Sequence, residues 1–184
     1  MRFNDHSALV GKHATLSASK YHWVNYDSDK MAAVFRASQA AKLGTELHEL
    51  AANLIRLGVK LPRSPKTLNL YVNDGIGFKM SVEQPLVYSA NAFGTADAVA
   101  FRGNTLRIHD LKTGAIPASM VQLEVYEALF CLEYNLKPTD IKAELRIYQN
   151  DEVLIHNPEM DDIAHIMSQI IVFDKIIEDI KAEG

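Results

Sequence analysis

Cysteine is almost absent from this chain: Cys131 is the single one among 184 residues. One cysteine cannot form an internal disulfide, and it cannot build a four-cysteine iron–sulfur or zinc site. Its apolar neighbours predict a buried small side chain rather than a nucleophile. No run of about 18 apolar residues occurs, and the first residues lack the apolar core of a secretory signal. We therefore expect one cytoplasmic domain with no membrane span.

Several catalytic motifs are also missing. The sequence has no G-x-x-x-x-G-K-[ST] loop, so we expect no nucleotide cofactor and no ATPase of its own. It has no G-x-S-x-G elbow and no H-E-x-x-H pair, which excludes two common classes of hydrolase site.

Charge is unevenly distributed along the chain. The net charge is −4 at pH 7, but residues 151–184 carry nine carboxylates and two lysines. The preceding residues therefore carry 17 basic and 14 acidic side chains. This balance permits a nucleic-acid partner without indicating one.

The apolar spacing predicts helices first, then mostly strands. Residues 17–57 favour helices: a short one capped by Ser17 or Ser19, and a longer one from Ser38 to Leu57, which Gly58 ends. Residues 60–66 form a proline-broken loop. TLNLYV (67–72) is predicted as a strand and NDGIG (73–77) as a turn.

The remaining segments alternate strands with two helices. Three strands are predicted in 78–112, with the turn RGN (102–104) between the last two. A helix from Ile116 to Tyr134 follows, with Pro117 in its first turn. Two more strands (140–149 and 152–156) and a helix over about 158–182 complete the chain. This order predicts a single α/β (mixed α+β) domain over 1–184, with a central mixed sheet flanked by helices. The domain would consist of a helical part at 17–57, a sheet core at 67–156 and a last helix.

The candidate chemistry lies in residues 94–114, GTADAVAFRGNTLRIHDLKTG. Asp97 lies inside an apolar strand, and Asp110 and Lys112 lie at the end of the next strand and face one side, because strand side chains alternate. Paired through the turn, the two strands would bring both aspartates within reach of one Mg²⁺. Taken singly, each residue is as well interpreted as an exposed strand charge; together they favour a site, because an aspartate among apolar residues is costly unless something satisfies it.

These residues resemble the PD-(D/E)XK nuclease superfamily. GTADAV followed by DLKTG is similar to its RecB-like exonuclease branch, which includes phage recombination nucleases and CRISPR-associated nucleases. Gln122 and Tyr126 reproduce that branch's Q-x-x-x-Y helix motif, and His48 in GTELHELA matches its upstream histidine. The resemblance covers about residues 16–129. A carboxylate that many relatives carry four residues after the histidine is replaced by Ala52.

The resemblance implies a restriction-endonuclease-like core and a role for each matching residue. Asp97, Asp110 and Lys112 would be catalytic. The Mg²⁺ or Mn²⁺ ligands would be His48, Asp97, Asp110 and the backbone carbonyl of Leu111, with Glu83 as a further candidate. Gln122 and Tyr126 would support the site or contact DNA. From the residues themselves, the basic loop with Lys60, Arg63 and Lys66 could supply phosphate contacts.

The implied function is metal-dependent DNA hydrolysis, in exonuclease mode, in phage recombination, replication or repair. DNA would be the partner, and a phage recombination or single-strand-binding protein is a second candidate partner. The protein would act in the host cytoplasm. Two alternatives stay open: an inactive nuclease fold that binds DNA or protein, and a structure-specific or RNA endonuclease. Polarity, strand preference, number of metals and oligomeric state are left undetermined by the sequence.

Overall fold

The computed structural model describes residues 5, 7–9 and 14–183. Within them, the elements in chain order are helices α1 (Ser28–Leu57) and α2 (Thr67–Gly77), strands β1 (Ser81–Val87), β2 (Phe93–Arg102) and β3 (Thr105–Leu111), helix α3 (Val121–Glu133), strands β4 (Lys142–Gln149) and β5 (Glu152–His156), and helix α4 (Met160–Glu183). Short 3₁₀ helices occupy Ser7–Leu9, Ala18–Asn25 and Pro138–Asp140.

The five strands form one sheet in the order β1-β2-β3-β4-β5. Neighbouring strands are antiparallel except β3 and β4, which are parallel and are joined through α3. A parallel pair needs such a crossover, because a tight turn can join only antiparallel strands. The predicted fold class, a mixed sheet flanked by helices, is confirmed.

Two hydrophobic cores pack against the sheet. One joins α3 and α4 to side chains such as Val99 and Ile108, and the other joins α1 and α2 to Ala98 and Leu111. Because alternate strand residues face opposite sides, the two cores lie on opposite faces of the sheet. Cys131 is fully buried in the first core, as predicted, and burial raises the pKa of its thiol to about 12.

The chain divides into two compact units, Met1–Leu43 and Gly44–Gly184. The sheet and all candidate site residues belong to the second unit. In the first, the Trp23 indole donates to the carbonyl of Ser17, and Asp27 accepts from the backbone of Lys30 and so caps α1. The prediction of one domain over the whole chain stays a prediction.

None of the helices in the described part of the chain combines the length and the apolar character needed to cross a membrane.

The predicted strand 67–72 and turn 73–77 are wrong, because these residues form α2. Its buried residues Tyr71, Val72 and Gly75 have helical spacing. Asp151, from the distant β4–β5 turn, accepts from the backbone N–H of Thr67 and satisfies the helix N-terminus. These partners lie far away in sequence, so the alternating pattern of TLNLYV is overridden by tertiary packing.

Two predicted helix starts are also wrong. The long helix begins at Ser28 rather than Ser38, because Asp27 caps it and no glycine or proline follows until Gly44. Helix α3 begins at Val121 rather than Ile116, and Pro117 lies outside it. The Gln149 side chain donates to the carbonyls of Gly114 and Ile116 and accepts from the N–H of Ala118, which holds this segment as a loop.

Candidate active site

The β2–β3 ladder opens where the predicted aspartates lie. Backbone pairing runs from Arg102↔Thr105 to Ala98↔His109, so Asp97 and Asp110 occupy the next level. Beyond that level the Asp97 carboxylate, at Oδ2, accepts the backbone N–H of Leu111 at 3.0 Å. At the end of the ladder, the Asp97 side chain therefore binds a backbone N–H of β3. The two aspartates lie next to each other at this open end.

Helix α1 supplies the third side chain at this opening. His48 Nδ1 lies 3.2 Å from the same oxygen of Asp97. The hydrogen bond to Asp97 raises the pKa of His48, and partial burial of the ring opposes that shift. Asp97 thus receives two donors on one oxygen, and the predicted proximity of His48 to the site is observed.

Asp110 is the most deeply buried member of the site, with 3% of the residue exposed. Burial, followed by the nearby charge of Asp97, raises the pKa of its carboxyl to about 6. Lys112 opposes this shift: its ammonium donates to Oδ1 at 3.2 Å and lies 3.0 Å from Oδ2. Oδ2 is buried without a well-aligned hydrogen bond. This contact places Asp110 and Lys112 on one side of β3, as predicted.

A chain of hydrogen bonds joins Lys112 to α3 and back to β2. The Lys112 ammonium donates to Gln122 Oε1 at 2.9 Å, and Gln122 Nε2 donates to the Tyr126 hydroxyl at 3.3 Å. Tyr126 in turn donates to the carbonyl of Thr95 at 2.7 Å. Because Gln122 and Tyr126 are four residues apart in a helix, one helical face reaches both the lysine and the strand that carries Asp97.

Two glycines allow close approach around the site. A Cβ built on Gly94 would lie 2.8 Å from Cε1 of Tyr126, and one built on Gly44 would lie 2.8 Å from the hydroxyl of Thr113. Such distances are shorter than normal contacts, so side chains at these positions would displace Tyr126 or the loop that follows Lys112.

A buried polar network supports β3 on the face opposite Asp110. His109 Nδ1 lies 3.1 Å from the Tyr148 hydroxyl, which donates to Asp74 on α2 at 2.7 Å. Burial, followed by the charges of Arg146 and Arg107, lowers the pKa of His109 to about 3, so its ring is neutral. The network ties α2 to β3 and β4 beside the residue that precedes Asp110.

Tyr71 of α2 is a buried neighbour of the carboxylates. Burial, followed by the charges of Asp97 and Asp110, raises the pKa of its phenol. The phenol is therefore neutral at physiological pH, and it forms part of the low-dielectric wall that makes the charges of the site interact strongly.

Other predicted site residues are directed elsewhere. Glu83 lies on β1 between the pairs Val82↔Ala98 and Gln84↔Ala96, which is the level of Asp97. Its backbone has a φ of 50°, and its carboxylate forms an ion pair with Arg56 of α1. Its role as a metal ligand stays a prediction.

Residues of the predicted basic loop contact other groups of the protein. Lys66 forms an ion pair with Asp151 at 2.9 Å. Lys60 and Arg63 line a groove with Asn73 and Asp74 of α2. Phosphate contacts from these three residues stay a prediction.

The donor set suits a hard divalent cation. It offers the carboxylates of Asp97 and Asp110, including the buried Asp110 Oδ2 that lacks an aligned hydrogen bond. Among the residues that the structure describes, no three His, Cys, Asp or Glu side chains form a ready-made metal cluster. A cation here would therefore take one or two carboxylates and complete its shell with carbonyl, water and phosphate oxygens, as Mg²⁺ commonly does.

Sequence reasoning missed the contacts that cross between elements. Neither the Arg56–Glu83 pair nor the Tyr126–Thr95 bond leaves a local signal, because the partners are 27 and 31 residues apart. Helix α2 left a weak signal, since Leu68, Tyr71 and Gly75 recur every three to four residues.

No model of a known protein family, no curated protein and no solved structure matches this chain.

Proposed function

We propose that this chain is a divalent-metal-dependent nuclease of the PD-(D/E)XK type, of the RecB-like branch, that hydrolyses DNA phosphodiester bonds. The observation that carries the proposal is the buried Asp110 carboxylate, which is paired with Lys112 and lies opposite a second aspartate, Asp97, at the open end of the β2–β3 ladder. Action as an exonuclease in phage recombination, replication or repair is the finer part of this proposal and rests on the sequence resemblance.

The cation would be held by Asp97 and Asp110, with the carbonyl of Leu111 and with His48 beside Asp97. When bound, Mg²⁺ or Mn²⁺ would supply positive charge that stabilises the negative charge developing on the scissile phosphate.

Lys112 would serve the phosphate and the attacking water directly. Its ammonium has three donors, and Asp110 and Gln122 engage it in this structure. A remaining donor could hydrogen-bond to a phosphate oxygen or orient the water. Since Gln122 is held by Tyr126, the direction of the lysine is fixed by groups that need not touch DNA.

The energetic cost of keeping Asp110 ionised beside Asp97 supports a catalytic role for these residues rather than a scaffolding role. Burial and the charge of Asp97 raise the pKa of Asp110 to about 6, so its ionised form is disfavoured in the folded protein. A module that only binds DNA or protein has no need of such a pair. Clusters of this kind are common at functional sites.

The test is a nuclease assay on end-labelled duplex and single-stranded DNA, with Mn²⁺ or with excess chelator. Asp110→Asn and Lys112→Ala should each abolish metal-dependent cleavage, whereas Lys142→Ala, an exposed lysine on β4, should leave it unchanged. Full activity in either site variant would contradict the assignment.

Further substrates separate the alternatives. Cleavage of linear but not circular DNA supports an exonuclease, and cleavage of circular DNA or RNA supports the endonuclease alternatives. An inert scaffold would cleave nothing, and in calorimetry it would bind no Mn²⁺ that Asp97→Ala removes.

A further inference from the structure

A groove with aromatic and basic walls lies along the β1–β2 hairpin, beside two aromatic residues at the end of α3. It has a volume of about 220 Å³ and is lined by the three rings of Phe101, Phe130 and Tyr134 and by Lys79, Arg102 and Gln84, among others. Pockets for drug-sized ligands span roughly 300–1,000 Å³. This groove is therefore suited to one small planar group rather than a large ligand.

The three rings form a cluster of tilted neighbours whose two outer members are exposed. The centroids of Phe101 and Phe130 are 5.2 Å apart, and those of Phe130 and Tyr134 are 4.7 Å apart. Phe130 belongs to the core, but Phe101 is 40% exposed and Tyr134 is 51% exposed. Packing of the core accounts for the inner ring and leaves the outer two with free surface that a planar ligand can cover.

The charged and polar groups of the groove complement an anion with a hydrogen-bonding edge. Lys79 and Arg102 are both exposed, and within the described part of the chain neither has a carboxylate at ion-pair distance. Among the residues that the structure describes, no acidic side chain lines the groove. Gln84 donates from Nε2 to the carbonyl of Pro85, which leaves its side-chain oxygen as an acceptor.

We propose that this groove binds a nucleobase and its adjacent phosphate, carried either by a single-stranded nucleic acid or by a free nucleotide. The base would stack on Phe101 and Tyr134, and Lys79 and Arg102 would pair with the phosphate. Aromatic platforms combined with cations are the usual means of binding single strands without sequence preference.

None of the candidate catalytic residues lines the groove. Phe101 lies four residues from Asp97 along β2, which corresponds to roughly 13 Å in a strand. Binding there does not require the chain to be a nuclease.

The test is fluorescence anisotropy of a short labelled oligothymidylate in excess chelator, so that no cleavage occurs. Phe101→Ala combined with Tyr134→Ala should weaken binding on the order of 10- to 100-fold, since loss of stacking costs about 1–3 kcal/mol per base. The matched control Phe173→Ala, an exposed phenylalanine of α4, should bind like the unaltered protein. Arg102→Gln should lower the slope of log affinity against log salt by about one.

A second variant separates stacking from folding. Phe101→Leu keeps an apolar side chain, so it should retain the melting temperature of the unaltered protein and still lose affinity. Competition by a mononucleotide at the same concentration as the oligonucleotide would identify a free nucleotide as the ligand, and its failure would identify a strand. Unchanged oligonucleotide and mononucleotide binding in the double variant, or an equal loss in Phe173→Ala, would overturn the inference.

Discussion

Replacing Asp110 by asparagine should stabilise the protein at neutral pH while destroying its activity. Burial and the charge of Asp97, opposed by Lys112, together raise the pKa of Asp110 from 3.8 to about 6. An acid whose pKa is higher in the folded than in the unfolded state contributes stability that is fully present below pH 3.8 and lost as the pH rises through about 6. This difference in pKa corresponds to a loss of about 3 kcal/mol in the free energy of unfolding at neutral pH. The attraction of Lys112 is included in this value.

Asp110→Asn removes the charge and keeps the shape. At pH 7.5 we expect a gain of about 1–3 kcal/mol in the free energy of unfolding, or roughly 3–10 °C in melting temperature for a chain of this length. At pH 4 the aspartate is largely protonated, so the variant and the unaltered protein should have nearly equal stability. The assay is urea denaturation in excess chelator at both pH values, with the exposed Asp179→Asn as the matched control.

Addition of Mn²⁺ completes the experiment. A cation that binds only the folded protein should raise the melting temperature of the unaltered chain, and it should have little effect on Asp110→Asn. A loss of stability in Asp110→Asn at pH 7.5 would refute the reasoning, because Asp110 and Lys112 would then form a structural ion pair rather than a strained functional one.

Three further predictions concern helix α3 and its contacts. Gly94→Ala should cost about 1–3 kcal/mol in unfolding free energy and lower metal-dependent cleavage, because its methyl group would lie 2.8 Å from the Tyr126 ring; urea denaturation and the nuclease assay measure both. Gln122→Ala should leave Mn²⁺ binding unchanged in calorimetry and lower cleavage on the order of 10- to 100-fold, because Lys112 loses one of its two partners. Glu127 is 3% exposed, and burial followed by the charge of Glu124 raises its pKa from 4.5 to about 7. The contribution of Glu127 to the free energy of unfolding should be fully present below pH 4.5 and should fall by about 3 kcal/mol as the pH rises through 7. In urea denaturation between pH 4.5 and 8, Glu127→Gln should remove this contribution.

Each of these predictions has a control and an opposing outcome. Gly77→Ala, whose added Cβ would meet nothing within 4 Å, should leave activity intact; an equal loss there would contradict the steric argument for Gly94. Unaltered cleavage by Gln122→Ala would show that Lys112 needs no support from α3. For Glu127, the exposed Glu159→Gln should keep the pH dependence of the unaltered protein, and the same dependence in Glu127→Gln would contradict the role of that carboxyl.

The β2–β3 hairpin and the proximity of Asp97, Asp110 and Lys112 could be predicted from local sequence patterns, whereas their catalytic roles rest on the family resemblance. Strand alternation and a short turn are local properties, so the spacing predicted Asp97 inside one strand beside Asp110 and Lys112 at the end of the next. The four-residue spacing of Gln122 and Tyr126 likewise predicted a shared helical face. Periodicity sufficed for these residues because their partners lie within one turn or one hairpin.

Tertiary structure alone decided which distant groups meet. Residues 67–72 alternate like a strand, but 67–77 fold as α2, because Asp151 caps the helix and Gly75 allows contact with Ile55. Glu83 pairs with Arg56, and Tyr126 reaches the carbonyl of Thr95. Such contacts depend on how helices dock on the two faces of the sheet. Docking is set by the close packing of side chains far apart in sequence, which a local pattern does not encode.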